Sequence, residues 1–168
     1  IDLLLAPPNP EEGDLVHESQ MTQALDVLRT IYDYVVVDVE KRLGDMTLSI
    51  LDHADMIFVV MTADLSCLKN VRLVLEALGR IGYEAASVKL LLNRSNAFTG
   101  ISVQAAEGAL KRQFEHKIAN EYRIAISAQN SGAPFSFTKP DSPLGREIAV
   151  LAGAIDGAAA ETSKPSMR

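Results

Sequence analysis

An aspartate, Asp38, directly follows the apolar run Tyr34–Val37. If that run is a central strand of a parallel sheet, its carboxyl end presents the carboxylate where ligands bind in open α/β sheets. A carboxylate at that position can hold a magnesium-bound water beside nucleotide phosphates. A simple turn at the end of a strand explains the same residue equally well, because Asp favours turns.

Two further polar pairs follow apolar runs. Asn93 and Arg94 come after Leu90–Leu92. The amide can read the edge of an adenine, and the guanidinium can stack on a base or reach a phosphate, although spacing alone favours a polar strand exit. Asn120, followed by Glu121, predicts a helix N-cap, and the functional alternative places this loop beside the same base.

Other chemistries find little support in the sequence. The three histidines have no metal-ligand spacing, and no Gly-x-Ser-x-Gly motif accompanies them. The single cysteine, Cys67, excludes an internal disulfide and a multi-cysteine metal site. The net charge of −6 and the absence of aromatic residues among the basic ones argue against specific nucleic-acid binding.

The elements that must position these residues follow from the apolar patterning. Short Val-, Ile- and Leu-rich runs without alternation are typical of parallel strands covered on both faces. They predict strands at Ile1–Ala6, Tyr34–Asp38, Met56–Thr62, Val88–Asn93 and Gln113–Ala119.

Helical periodicity fills the intervals between these strands. It predicts helices over Met21–Ile31, from Leu68 behind a Ser66 cap, from Ser102 to Leu110, over Glu121–Asn130 with Gly132 beyond, and from Ser142-Pro143 to about Ile155. The alternation predicts an α/β fold with a mostly parallel sheet in three α/β/α layers. We expect one domain over residues 1–156 and a disordered tail over residues 157–168.

The composition agrees with an ordinary soluble domain. Of 168 residues, 48% are apolar, which is enough for a core. No apolar run reaches the roughly 18 residues that a membrane helix needs, and nothing resembles a signal peptide. We therefore expect a cytoplasmic protein without membrane insertion.

A phosphate-binding loop of the standard kind is absent from this sequence. Such a loop needs Gly-rich backbone followed by Gly-Lys-Ser/Thr, so that amide hydrogens and the lysine surround the phosphates. None of the ten glycines is followed by lysine.

Seven motifs in chain order resemble the ParA/MinD family of deviant-Walker P-loop ATPases, and the pilus-assembly branch called CpaE or TadZ in particular. They are Leu3–Glu12, Tyr32–Asp38, Leu48–Asp55, Asp64–Asn70, Leu91–Arg94, Ile118–Arg123 and Ser142–Arg146. The resemblance implies a SIMIBI-like P-loop NTPase fold of which this chain is the C-terminal portion, with the first strand and the Walker A segment upstream of Ile1.

The resemblance also implies site residues. Asp38 matches the Walker B aspartate, which would hold magnesium through water. Asn93 and Arg94 match the adenine-reading pair, and Asn120 with Glu121 match the loop that closes over the base. The implied cofactors are ATP and Mg²⁺, and the implied partners are a second copy of the protein and pilus or secretion assembly proteins. The branch also implies a receiver domain upstream and a polar or membrane-associated location through partners.

The sequence departs from the family pattern at the switch. Prolines usual after the Walker B aspartate and before the adenine loop are replaced by Glu40, Lys41 and Ala119. These departures favour an alternative, a catalytically inactive localisation scaffold on the same fold. A second alternative is a chromosome or plasmid partition ATPase. We expect this chain alone not to hydrolyse ATP.

Overall fold

The structure, a computed structural model, describes residues 1–13 and 15–162. The chain divides into two compact units, Ile1–Ile57 and Phe58–Arg168. The first unit contains the helices α1 (Pro10–Gly13), α2 (Glu18–Ile31) and α3 (Asp45–Asp52). Helix α2 confirms the predicted periodicity, buries Leu25 and packs against α3. Helix α3, which the sequence analysis did not predict, buries Thr47, Ile50 and Leu51.

Two predicted strands of the first unit, Ile1–Ala6 and Tyr34–Asp38, are wrong. Both segments lack strand structure. A strand exists only with a hydrogen-bonded neighbour, and neither segment pairs with another strand among the residues that the structure describes. Their apolar side chains are largely exposed, with Val36 at 89% and Leu4 at 77%.

The sheet and the remaining helices belong to the second unit, except that the first strand begins one residue earlier. In chain order these elements are β1 (Ile57–Met61), α4 (Leu65–Ile81), β2 (Val88–Asn93), α5 (Val103–Leu110), β3 (His116–Ile118), α6 (Tyr122–Ser131), α7 (Phe135–Thr138) and α8 (Pro143–Thr162). The strand order is β1-β2-β3, and β3 lies parallel to β2 with Asn93 opposite Ile118. The three strand predictions here are confirmed, with β3 shorter than predicted.

Strand β2 explains why this part of the sequence shows no alternation. Leu90 and Leu92, both fully buried, belong to one core cluster, together with Val71 of α4. Leu91 between them belongs to a second cluster, which includes Leu144 of α8. Successive strand residues point to opposite faces, so helices cover both faces of the sheet. The predicted α/β fold with three layers and a parallel sheet is confirmed.

Several predicted helix ends are confirmed, and two are wrong. Ser102 caps α5 by accepting a hydrogen bond from the Ala105 amide, and Gly132 ends α6 in the left-handed conformation. Ser66 is not the cap of α4, because the Asp64 carboxylate accepts from the Cys67 amide at 2.9 Å and starts the helix two residues earlier. Asn120 is not the cap of α6, since Glu121 occupies that position.

The last helix continues beyond its predicted end near Ile155. It extends to Thr162, through an alanine-rich stretch whose residues have high helix propensity. The predicted disordered tail is thus helical in residues 157–162, and its remainder lies outside the described residues. No helix within residues 1–13 and 15–162 has both the length and the apolar character needed to cross a bilayer.

Candidate functional site at the carboxyl ends of the strands

Three loops leave the carboxyl ends of β1, β2 and β3 and are tied to one another. We call them together the carboxyl edge, and they comprise residues 62–64, 94–101 and 119–121. The Ser95 amide donates to the Ile118 carbonyl at 2.8 Å, which extends the β2–β3 pairing by one step. The Thr99 hydroxyl donates to the Ala63 carbonyl. The middle loop therefore holds both of its neighbours.

Asn93 and Arg94 form the sharp exit from β2. The Asn93 Oδ1 accepts a hydrogen bond from the Arg94 amide at 2.9 Å. The backbone of Arg94 is left-handed, with φ of 54°, a conformation that residues other than glycine rarely adopt. The Arg94 side chain is exposed, so its guanidinium is open to an anionic or aromatic ligand at the carboxyl edge.

The loop after β3 is fixed through its backbone. The Asn120 amide donates to the Asn96 Oδ1 at 2.7 Å. The preceding amide, that of Ala119, donates to the carboxylate of Glu147 in α8. Asn120 itself is exposed, so its side-chain amide lies on the accessible side of a loop whose backbone is held from two directions.

Glu121 faces the start of α8. Its Oε2 accepts a hydrogen bond from the Leu144 amide at 3.3 Å, in the first turn of that helix. A carboxylate is favourable there, because the first amides of a helix have no intrahelical acceptor and the helix dipole is positive at this end. In this structure the Glu121 carboxylate holds the loop to α8.

The residues at the end of β1 are also held electrostatically. A hydrogen bond of 2.6 Å from the Thr62 hydroxyl and a second from the Cys67 amide lower the pKa of Asp64 below its usual value. Asp64 is therefore charged at neutral pH and fixes the turn from β1 into α4.

Asp38 lies in the first unit. It is exposed in a segment without strand pairing. The other four predicted site residues, Asn93, Arg94, Asn120 and Glu121, all lie at the carboxyl edge of the second unit. Of the five, the structure therefore brings these four together.

Sequence reasoning missed two residues that build the carboxyl edge, Asn96 and Glu147. Asn96 carried a usable signal, because it lies in a polar loop directly after a strand. Glu147 carried none, since its partner Ala119 is 28 residues away and its own helix gives it an ordinary polar position.

The fold is that of the ParA and MinD ATPases. The chain superposes on a ParA family ATPase from Chlorobium tepidum TLS with a TM-score of 0.81 and 20% identity, covering 87% of this chain and 61% of that one. It superposes on the MinC:MinD cell division complex of Aquifex aeolicus with a TM-score of 0.72 and 19% identity, covering 92% and 63%. Septum site-determining MinD from Pyrococcus horikoshii OT3, complexed with Mg-ADP, gives 0.74 and 20%, covering 94% and 64%.

The chain thus spans less than two thirds of the length of each of these structures. No protein-family model matches the sequence, and no curated protein matches it. At identities near 20%, the likeness establishes the fold.

The exposed side chains at the carboxyl edge suit part of a nucleotide that binds together with Mg²⁺. Two exposed groups at the carboxyl edge, the Asn120 amide and the Arg94 guanidinium, suit a base and an anionic group. The described residues contain no group of three or more His, Cys, Asp or Glu side chains that could hold a metal ion. A single carboxylate such as Asp38 is still compatible with Mg²⁺, which usually takes one or two carboxylates and completes its shell with phosphates and water.

Proposed function

We propose that this chain forms the Walker B and adenine-binding portion of a ParA/MinD-type ATPase that binds ATP with Mg²⁺ and dimerises. The observation that carries the proposal is the superposition of 87% of the chain on a ParA family ATPase. The tied loops at the carboxyl edge support it, because nucleotides bind at this end of open α/β sheets. The phosphate-binding loop would come from a part of the protein outside these residues.

Each site residue has a role in this proposal. Asp38 holds a magnesium-bound water, and Asn93, Arg94 and Asn120 contact the adenine side of the nucleotide. Glu121 belongs to the same loop, and its hydrogen bond to the Leu144 amide supports a role in holding that loop in place. Bound ATP and Mg²⁺ would supply the reactive phosphate and the charge that stabilises its transfer.

The proposed cellular role is to position or assemble a Tad-type pilus or secretion machinery. Its support is the order of the seven motifs, which resembles the CpaE/TadZ branch. The protein would then be cytoplasmic, with pilus assembly proteins as partners that bring it to a pole or a membrane.

The test uses the natural gene product, with ATP binding and hydrolysis measured in the presence of Mg²⁺. We expect ATP to bind, and we expect Asp38→Ala to lower hydrolysis by about 100-fold or more, the usual effect of removing one electrostatic group at such a site. The matched control is Asp33→Ala, which removes an exposed carboxylate from the same segment and should leave hydrolysis unchanged. Hydrolysis by residues 1–168 alone, abolished by Asp38→Ala, would contradict the proposed division of the site.

An inactive localisation scaffold is the second candidate, favoured by Glu40, Lys41 and Ala119 at positions where the family has prolines. The same assay separates the two, because a scaffold would show partner binding without ATP turnover. A DNA-partition ATPase is less well supported, since the net charge of −6 repels nucleic acid. Retention on DNA that salt abolishes would be its signature.

A further inference from the structure

We infer that Asn96 is a positioning residue for the base-contacting loop, through which the protein discriminates one purine nucleotide from another. The inference rests on the proposed function and goes one step further. It assigns base selectivity to a residue that touches the loop backbone and not the nucleotide.

Asn96 follows the point at which the backbone pairing of β2 with β3 ends. The pairing of β2 with β3 runs from Leu91 opposite His116 to Asn93 opposite Ile118. The Ser95 amide adds one more hydrogen bond, to the Ile118 carbonyl. Beyond this point the backbone of residues 94–97 turns back on itself, since the Ala97 amide donates to the Arg94 carbonyl at 2.9 Å. The backbone that follows β2 therefore provides no carbonyl acceptor for the Asn120 amide.

The Asn96 side chain takes over at this point. Its Oδ1 accepts from the Asn120 amide at 2.7 Å and so replaces the missing backbone acceptor. The donor is a backbone N–H, so the bonded atom must be the oxygen of the amide group. One side chain thus continues the β2–β3 pairing into the loop that carries Asn120.

The other side of the same loop is fixed as well. Glu147 accepts from the Ala119 amide, and Glu121 accepts from the Leu144 amide. With both neighbours of Asn120 held by α8, the contact from Asn96 decides where the Asn120 backbone and side chain sit relative to β2. Adenine and guanine differ in donor and acceptor at one ring edge, so a loop that reads that edge must hold its polar groups in place.

The experiment compares Asn96→Ala with Asn96→Asp in the natural gene product. We expect Asn96→Ala to raise the Kd for ATP about three- to tenfold, the usual effect of losing one hydrogen bond, and to reduce the preference for ATP over GTP. Asn96→Asp keeps an oxygen acceptor and should stay within about threefold of the wild type in both quantities. Amide exchange of Asn120 in the nucleotide-free protein gives an independent readout, and it should accelerate in Asn96→Ala only.

The control is Ser102→Ala, which removes a neighbouring hydrogen bond of 3.1 Å, that from the Ala105 amide, at the start of α5. A variant that only destabilises the fold lowers the fraction of protein able to bind any nucleotide. Ser102→Ala should therefore leave the ratio of the Kd for GTP to the Kd for ATP unchanged. If the wild type binds no ATP, the proposed function is wrong and the inference with it. If the wild type binds ATP and Asn96→Ala changes neither the ratio nor Asn120 exchange, only the inference is wrong.

Discussion

Strand β2 of the second unit and the segment Tyr34–Asp38 of the first unit have similar sequence patterns and different structures. In both, a run of Val or Leu ends in a polar residue. Strand β2 is paired, buried on both faces and continued by side-chain hydrogen bonds into its loops. The segment Tyr34–Asp38 is largely exposed and does not form a strand. An apolar run therefore becomes a strand only where neighbouring chain satisfies its backbone and covers its side chains.

Amide hydrogen exchange tests this difference most directly. We expect the Leu91 and Leu92 amides to exchange on the order of 10³-fold more slowly, relative to their intrinsic rates, than the Val36 and Val37 amides, because β2 opens only when the second unit unfolds. Exchange read by mass spectrometry or NMR provides the measurement. Comparable protection in both segments would mean that Tyr34–Asp38 is paired in solution.

Truncation of one apolar side chain in each region sharpens the same difference. Leu90→Ala should lower the free energy of unfolding by about 2–5 kcal/mol, because the side chain is fully buried and leaves a cavity. Val36→Ala should change it by no more than about 0.5 kcal/mol, since that side chain is 89% exposed. Urea denaturation followed by circular dichroism measures both. Equal losses would contradict the exposed position of Val36.

The start of α8 tests how the carboxyl edge is held. A Cβ on Gly145 would lie 2.5 Å from the Pro140 carbonyl oxygen and 2.6 Å from that of Lys139. Gly145→Ala should therefore cost about 1–3 kcal/mol, as overpacking usually does. Gly153→Ala is the matched control in the same helix, where a Cβ meets nothing within 4 Å, and it should gain up to about 1 kcal/mol. Thermal unfolding distinguishes the two, and a neutral Gly145→Ala would mean that the turn before α8 can shift.

Acid stability gives the smallest expected effect. The hydrogen bonds from Thr62 and the Cys67 amide lower the pKa of Asp64 in the folded state, so this carboxylate stabilises the fold above its unfolded pKa. The contribution is lost as the pH falls through the lower, folded-state pKa. Asp64→Asn should therefore flatten the acid side of the stability curve measured between neutral pH and pH 2. An unchanged slope would remove Asp64 from the groups that respond to acid.

The sequence predicted those elements whose causes are local or periodic. The runs Met56–Thr62 and Val88–Asn93, the Ser102 cap and the Gly132 end were all correct, because each depends on residues close together in the chain. The Asp38 strand was predicted wrongly, since composition says nothing about whether a neighbouring strand is present. Helix α3 was missed, because it has only about two turns and begins at Gly44, which gives no side-chain cap like the one Ser102 gives to α5.

The candidate site divides in the same way. Asn93, Arg94 and Asn120 could be proposed from sequence, because a polar residue after an apolar run marks a strand end. The hydrogen bonds that tie these loops to one another and to α8 join residues 23 to 36 positions apart, such as Asn96 with Asn120 and Ala119 with Glu147. No periodicity in one sequence reports contacts at that separation.

The two carboxylate contacts between residues 119–121 and the start of α8 have a consequence for chain connectivity. They join both ends of the segment 122–143, which carries α6 and α7, at one place in the fold. Bringing the two ends of a segment together costs entropy, and here side-chain contacts offset that cost. These contacts do not depend on an unbroken peptide chain between the two ends. The exposed turn at Gly132 is therefore a suitable place for a chain break or an insertion, because the segments on either side of it, 122–131 and 133–143, each remain anchored at the far end.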